Sequence, residues 1–379
     1  MKVLTVFGTR PEAIKLAPLV LALQREPGVR QVTCVTGQHR QMLDQVLGVF
    51  ELTPDHDLDI MKPGQDLGYV TGAVLEGVSR VIRAERPDWL CVQGDTTTAF
   101  AAALAGFYER VPVAHVEAGL RTHDPLSPWP EEINRRLVAP LARLHCAPTE
   151  RAAQNLLREA IPPAQVVVTG NTVIDALRWI AARPEADREL DALIARHAPA
   201  LARSSRRLLL VTLHRRENLG SKLRSICTGL RLLAARGDIE IAFPVHLNPA
   251  VGAVFDELLA GVAGVHRLPP LDYLPFVALM RRSHLIVTDS GGIQEEAPGL
   301  GKPVLVARDV TERPEAIEAG TAELVGTDGA TLATRCAALL DDPAQYARMA
   351  NATNPFGDGR AAPRIVALLR ERLERGVGG

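Results

Sequence analysis

The segment Thr288-Asp289-Ser290-Gly291-Gly292-Ile293-Gln294-Glu295-Glu296-Ala297-Pro298 has residue types that can seat an anion. It follows the apolar run Leu285-Ile286-Val287 and puts two glycines where a strand should turn into a helix. Backbone N–H groups at such a helix N-terminus have no intrahelical partner and face outward. The two glutamates one turn further on do not favour phosphate, but a carboxylate there can accept hydrogen bonds from a ribose diol. The ligand that fits is a nucleoside diphosphate whose distal group points elsewhere. A Gly-rich helix start with a solvated acidic turn fits the same residues.

Other segments put acids and cations where strands end. Gln93-Gly94-Asp95-Thr96-Thr97-Thr98 offers Asp95, and His115-Val116-Glu117-Ala118-Gly119-Leu120-Arg121 offers Glu117. Pro128-Trp129-Pro130-Glu131-Glu132-Ile133-Asn134-Arg135-Arg136 offers Glu131. Several acids lining one side of a cleft are an arrangement for proton transfer. Plainer readings stand beside this one: Asp95 or the threonines can cap a helix, and Glu131 with Arg135 can form an i,i+4 surface ion pair worth about 0.3–0.5 kcal/mol. Phe7-Gly8-Thr9-Arg10-Pro11-Glu12-Ala13-Ile14-Lys15 presents Arg10 and Lys15 to an anion, with Pro11 suited to the first helical position. It is not a Walker A loop, because no second Gly precedes a Lys-Ser/Thr pair. His214-Arg215-Arg216-Glu217-Asn218 is its counterpart further along, where a histidine followed by two arginines would be held near an anion. Gly299-Leu300-Gly301 reads as a turn, and Gly357-Asp358-Gly359-Arg360-Ala361-Ala362 spells G-x-G-x-x-A with no strand in front of it. Neither is a dinucleotide fingerprint, which argues against a nicotinamide-dependent enzyme.

The elements that must position these residues alternate along the whole chain. Strand-like runs at 3–7, 32–36, 89–93, 112–116 and 166–169 are separated by amphipathic stretches such as 11–24 and 96–108, and a second series runs through 208–213, 239–244, 265–268, 285–288 and 303–307. Such alternation predicts an α/β protein with two doubly wound, Rossmann-like domains of parallel strands. Residues 172–205, charged and helical in pattern with Pro184 among them, read as the connector. Ligands of open parallel sheets sit beyond the strands' carboxyl ends, so the site is expected in a central cleft between the domains. A length of 379 residues fits two domains, and 47% apolar with 23% charged residues excludes disorder. Lys and Arg number 43 against 44 Asp and Glu, so nothing in the net charge of -1 recruits nucleic acid or an anionic membrane. Five dispersed cysteines without a C-x-x-C pair read as buried thiols in a reducing compartment, with neither disulfides nor a metal site. No long apolar span or signal-like start is present, so a cytoplasmic protein is expected.

Taken together, the segments at 7–15, 93–98, 115–122, 128–136, 169–177, 212–218, 244–249, 288–298, 311–321 and 354–359 closely resemble the non-hydrolysing UDP-N-acetylglucosamine 2-epimerases of bacteria. The resemblance implies a GT-B-like fold. Its N-terminal domain would span 1–172 completed by a C-terminal helix in 355–379, with a UDP-binding domain at 173–354. It also implies a homodimer that interconverts UDP-N-acetylglucosamine and UDP-N-acetylmannosamine without a cofactor, supplying a surface polysaccharide. The C2 proton has no neighbouring carbonyl, so inversion needs oxidation or departure of a group from C1, and with no dinucleotide fingerprint elimination of UDP fits better. In the family this gives 2-acetamidoglucal. Asp95, Glu117 and Glu131 match the family's functional carboxylates, and His214 its histidine beside the pyrophosphate. Arg10, Lys15, Arg135, Ser290, Gly291, Gly292 and Arg313 would bind substrate, Glu296 the ribose, and Leu271 and Phe276 the uracil. Gln38, Gln41, Arg215 and His246 resemble residues lining a second, activating UDP-N-acetylglucosamine site. The stretch Met61-Lys62-Pro63-Gly64-Gln65 departs from members that carry an Arg near Gly64. The competing readings are a GT-B glycosyltransferase with a UDP-sugar donor, a catalytically inactive nucleotide-sugar sensor, and a hydrolysing epimerase that releases free sugar.

Overall fold

β-branched runs flanked by amphipathic stretches form parallel strands wrapped by helices, and each unit of this chain is built that way. The computed structural model describes residues 1–38 and 40–376, so the expected C-terminal segment 355–379 is described as far as residue 376. The chain divides into two units, Met1–Ala176 with Phe356–Gly379, and Leu177–Pro355. Among the described residues the first unit holds β1 (Lys2–Phe7), β2 (Arg30–Val35), β3 (His56–Asp57), β4 (Trp89–Gln93), β5 (Val113–Val116), β6 (Leu144–Ala147) and β7 (Val166–Val168). The second holds β8 (Arg207–Thr212), β9 (Ile239–Pro244), β10 (Val265–Leu268), β11 (Leu285–Thr288), β12 (Val304–Val306) and β13 (Ala322–Leu324).

The first sheet is ordered β3-β2-β1-β4-β5-β6-β7 and the second β10-β9-β8-β11-β12-β13, with every pairing parallel. Strand order therefore reverses between β1 and β4, and again between β8 and β11. At such a switch point the following loops diverge to opposite faces and leave a crevice at the carboxyl ends of the strands. The loops at these points are Gly8-Thr9-Arg10 and Gly94-Asp95 in one unit, and Leu213-His214 and Asp289-Ser290-Gly291 in the other. Every residue of β1 from Val3 to Phe7 is buried, as a strand covered on both faces must be.

The C-terminal helix Ala361–Glu374 belongs to the first unit, where fully buried Trp89 donates its indole N–H to the Leu369 carbonyl at 3.1 Å. The G-x-G-x-x-A run opens this helix, and its first amides are occupied by protein: Ala361 N and Ala362 N donate to the Asp175 carboxylate at 3.1 and 2.9 Å. A carboxylate of the chain itself fills the position a phosphate would take. The connector is helical, with Pro184 in the first turn of Pro184–His197 rather than inside it, and the helix Thr172–Ala181 carries the chain from one unit into the other. All five cysteines are buried and unpaired, and burial pushes the Cys34 thiol up to about 12. No helix among the described residues is long and apolar enough to cross a membrane.

Candidate active site

In the first unit Gly94 turns the chain at the end of β4 with φ of 68°, a conformation that glycine adopts without a Cβ clash. Thr96 then caps the helix Thr97–Tyr108, its hydroxyl accepting from Ala99 N at 3.0 Å. The cap is thus Thr96, and the Asp95 carboxylate is left for other partners. It meets the Arg135 guanidinium, while Asn134 Nδ2 donates to the Asp95 carbonyl at 3.0 Å. Loss of water raises the Asp95 pKa, Arg135 opposes that rise, and the charge of Glu117 adds to it.

The suggested surface pair of Glu131 with Arg135 does not form. On the helix Glu131–Leu141 the inward residues include Glu132 and Asn134; Glu132 takes the amides of Thr122 and His123 at 3.0 and 3.2 Å and lies 3.5 Å from Arg135. Arg135 follows this phase inward to Asp95, and Glu131 Oε2 is buried without a hydrogen-bond partner. Glu117, with φ of 62°, accepts from Lys15 Nζ at 2.5 Å, from Asn171 Nδ2 at 2.9 Å and from Gln93 Nε2. Three donors on one carboxylate favour its charged form. Arg10 begins the helix Arg10–Arg25, half-buried, with Lys15 one turn further in.

Glu12 is a residue that sequence reasoning missed. Fully buried, it accepts from Gly8 N at 3.1 Å, Thr9 N at 2.9 Å and both the Thr9 and Thr96 hydroxyls at 2.7 Å. It completes a capping box and ties the loop after β1 to the residue beside Asp95. The T-x-x-E spacing at Thr9 to Glu12 was the available signal.

Behind the carboxylates, His115 on β5 donates Nε2–H to the Gly94 carbonyl at 2.7 Å, and His145 lies opposite it on β6. Burial is the largest cause that lowers their pKa values, to about 4 and about 3. An unfolded chain protonates such rings near 6.5, so the stability they contribute is intact above that pH and falls as pH drops toward 4, by up to ~1.4 kcal/mol per pH unit for each ring. The raised carboxyls of Glu12, Asp95 and Asp175 act in the opposite sense. Thermal melting should therefore drop less between pH 7 and pH 5 in His145→Leu than in the wild type. Equal drops would place the acid sensitivity elsewhere.

In the second unit the helix Gly291–Gly299 begins at Ser290, whose side chain makes no capping bond. A Cβ placed on Gly291 would lie 3.6 Å from Arg215 Nη2 and 4.0 Å from Arg313 Cζ, so two guanidinium groups reach the first helical residue. The uncapped start leaves backbone N–H groups without intrahelical partners and sets positive charge beside them. One turn on, Glu295 holds Arg313 and Glu296 accepts from the Tyr273 hydroxyl at 2.8 Å. Tyr273 thereby ties the segment with half-buried Leu271 and Phe276 to the expected ribose carboxylate. His214, at the end of β8, faces Asp289 through Nδ1 at 3.2 Å and stacks on His246 with ring centroids 5.6 Å apart.

In the first unit Lys15, Asp95, Glu117 and Arg135 come together, while Arg10 and Glu131 stand at the starts of two helices; in the second, His214 meets His246 and Arg215, and Arg215, Arg313, Ser290 and Glu296 surround Gly291 and Gly292. Gln38 follows β2 and accepts from the Thr98 hydroxyl at 2.8 Å, and Gln41 is exposed on the helix Arg40–Val49. Gln93, Asn171, Tyr273 and Asp289 complete these clusters. Asn171 lay in the resembling segment 169–177 without a role of its own and Tyr273 outside every such segment, both far in sequence from the groups they touch.

Comparison with known proteins accords with this geometry. The profile of a family described as UDP-N-acetylglucosamine 2-epimerase matches residues 21–370. The UDP-N-acetylglucosamine 2-epimerase of Salmonella typhimurium is 53% identical over 371 residues, 98% of this chain and 98% of that protein. The crystal structure of UDP-GlcNAc 2-epimerase from Neisseria meningitidis bound to UDP-GlcNAc superposes with a TM-score of 0.84 at 48% identity, covering 98% of this chain and 100% of that one. A glycosyltransferase from Rickettsia africae, at 14% identity and a TM-score of 0.62 over 98% of each chain, shares the fold alone. With that profile matched over residues 21–370 and a relative 53% identical over 98% of its length, this chain belongs to the UDP-N-acetylglucosamine 2-epimerase family.

Proposed function

We propose that the protein interconverts UDP-N-acetylglucosamine and UDP-N-acetylmannosamine by elimination and re-addition of UDP through 2-acetamidoglucal. The observation that carries this reading is the division of labour: half-buried Asp95 and buried Glu117 after the adjacent strands β4 and β5 of one sheet, and an uncapped helix start with two arginines at the switch point of the other. Membership of the family supports the same substrate.

In the forward half-reaction the C1–O bond breaks with its electron pair going to UDP, the C2 proton passes to a carboxylate, and the C2–H pair becomes the C1=C2 bond. Return of UDP to C1 with a proton delivered to the opposite face of C2 gives the epimer. The seat at Ser290-Gly291-Gly292, with Arg313 and His214, takes up the charge that grows on the departing diphosphate. Glu117, held ionised by Lys15, Gln93 and Asn171, is read as the proton acceptor. Asp95, whose pKa is raised, is read as the group that can hold a proton for return. Arg10, Lys15 and Arg135 bind substrate, Glu296 holds the ribose, and Leu271 and Phe276 border the uracil. No cofactor enters this chemistry.

Incubation with UDP-N-acetylglucosamine in D2O should give a second anomeric NMR signal, with deuterium at C2 of both epimers. Conversion without deuterium would sink the proton-transfer mechanism, and no second UDP-sugar would sink the function.

A homodimer is proposed from the apolar stripe Ile133 and Leu137 on the helix Glu131–Leu141 and the exposed Phe107 and Tyr108, which a second copy would cover. Light scattering that gives the mass of one chain would refute it. We place the enzyme in the cytoplasm, where five unpaired thiols stay reduced, and its product in a surface polysaccharide pathway; transport of the active enzyme to the periplasm would contradict this. Gln38, Gln41, Arg215 and His246 are proposed to take up a second UDP-N-acetylglucosamine that activates the reverse reaction, an idea lost if pure UDP-N-acetylmannosamine reacts at full rate with no lag.

A further inference from the structure

Asp289 lies between the last residue of β11 and the anion seat, and it is fully buried. Its Oδ2 accepts from His214 N, Arg215 N and Asn218 Nδ2, each at 3.0 Å, and its Oδ1 from His214 N at 3.1 Å. An aspartate carboxylate can only accept hydrogen bonds. His214 Nδ1 lies 3.2 Å from Oδ1. A bare Nδ1 would set two lone pairs against each other inside the protein, so this nitrogen must carry the proton. The ring's other nitrogen, Nε2, is then the one left for a ligand, on a side chain that is 37% exposed.

We infer that Asp289 is a positioning residue: it holds the Nδ1–H of His214, so that Nε2 is the nitrogen that meets a diphosphate in the seat at Ser290-Gly291-Gly292 and takes its second proton there. Orientation of a catalytic imidazole by a buried carboxylate fixes both the tautomer and the ring plane. The charged and titratable groups around the ring are Asp289 after β11, His246 after β9, Arg215 on its own loop and Arg308 after β12. Arg308 is in turn paired with Glu217 at 2.6 Å and Glu312 at 3.4 Å, and Arg215 with Glu312 at 3.5 Å. Burial first, with His246 and the two arginines, lowers the His214 pKa, and Asp289 opposes them. The net direction favours the neutral ring. An anion at Nε2 adds a second negative group, and the imidazolium becomes the favoured form.

The inference rests on the epimerase reading only for its effect on turnover; the tautomer is read without turnover. Nitrogen-15 NMR of the full chain with labelled histidine, with His214 assigned through His214→Gln, should show an Nδ1–H tautomer that shifts toward imidazolium when UDP is added. Asp289→Asn should lose that tautomer and lower kcat by at least ~10-fold, with a smaller change in KM and a displaced pH profile. Asn218→Ala, which removes a structural bond to the same carboxylate but leaves Oδ1 on the ring, should keep the tautomer. An Nε2–H tautomer in the wild-type protein would overturn the inference even if Asp289→Asn does not fold. So would an Asp289→Asn enzyme with unchanged kcat and pH profile. A wild-type protein with the expected tautomer but no epimerase activity would refute the function and leave the positioning role standing.

Discussion

Asp95→Asn, Glu117→Gln and Glu131→Gln are each expected to lower turnover by at least ~100-fold, the low end for a lost general acid or base, while UDP still binds. The three carboxyls differ in what the substitution removes. Glu117→Gln replaces a carboxylate that Lys15, Gln93 and Asn171 all donate to, so the amide brings its own N–H toward at least one of those donors. Asp95→Asn breaks the partnership with Arg135 and takes away the group whose pKa the site raises. Glu131→Gln disturbs least, because Glu131 Oε2 has no hydrogen-bond partner to lose, yet a buried oxygen without a donor is what a reacting proton would find. All three variants keep side-chain volume, and UDP binding reports the integrity of the second unit. A variant with near-normal turnover and near-normal C2 exchange would remove its residue from the mechanism.

How much of this was legible beforehand depended on whether a residue's partner was near in sequence. β4 and β11 were readable as strands because they are largely apolar runs with every residue buried, the pattern of a strand covered on both faces. β6 (Leu-His-Cys-Ala), β3 (His-Asp) and β13 (Ala-Glu-Leu) were not, since none of them contains a β-branched residue. The acids at strand ends could be picked out by type and position. What held them could not: Asn171 reaches Glu117 across 54 residues, and the phase of the Glu131–Leu141 helix sends Arg135 to Asp95 instead of Glu131. Helix phase is decided by which face the core accepts, and here buried Glu132 and Asn134 settle it. The same limit applied to Asp289. It stood inside the most informative motif, yet its purpose appears only when β8 and β11 pair and bring His214 to it across 75 residues.

Gly292→Val should weaken UDP binding by roughly 100-fold or more, about 2.7 kcal/mol, without unfolding the protein. The fold tolerates the change: a Cβ at Gly292 would meet nothing nearer than Glu296 Oε1 at 3.6 Å and Ser290 Oγ at 3.9 Å, ordinary contact distances. Valine is also a slightly better helix former than glycine, so the first turn of the helix should not suffer. The cost falls on the ligand. Gly292 is exposed at the uncapped helix start, and a branched side chain there stands where phosphate oxygens must approach the amides. Each charge-assisted hydrogen bond lost is worth about 1.5–3 kcal/mol, so losing one or two accounts for the expected drop. Glu296→Ala provides the complementary test, since it leaves the amides open and removes the carboxylate assigned to the ribose. It should weaken UDP more than it weakens uracil. Calorimetric titration in which both variants bind UDP as tightly as the wild type would move the nucleotide away from this helix, and with it the division of labour on which the mechanism depends.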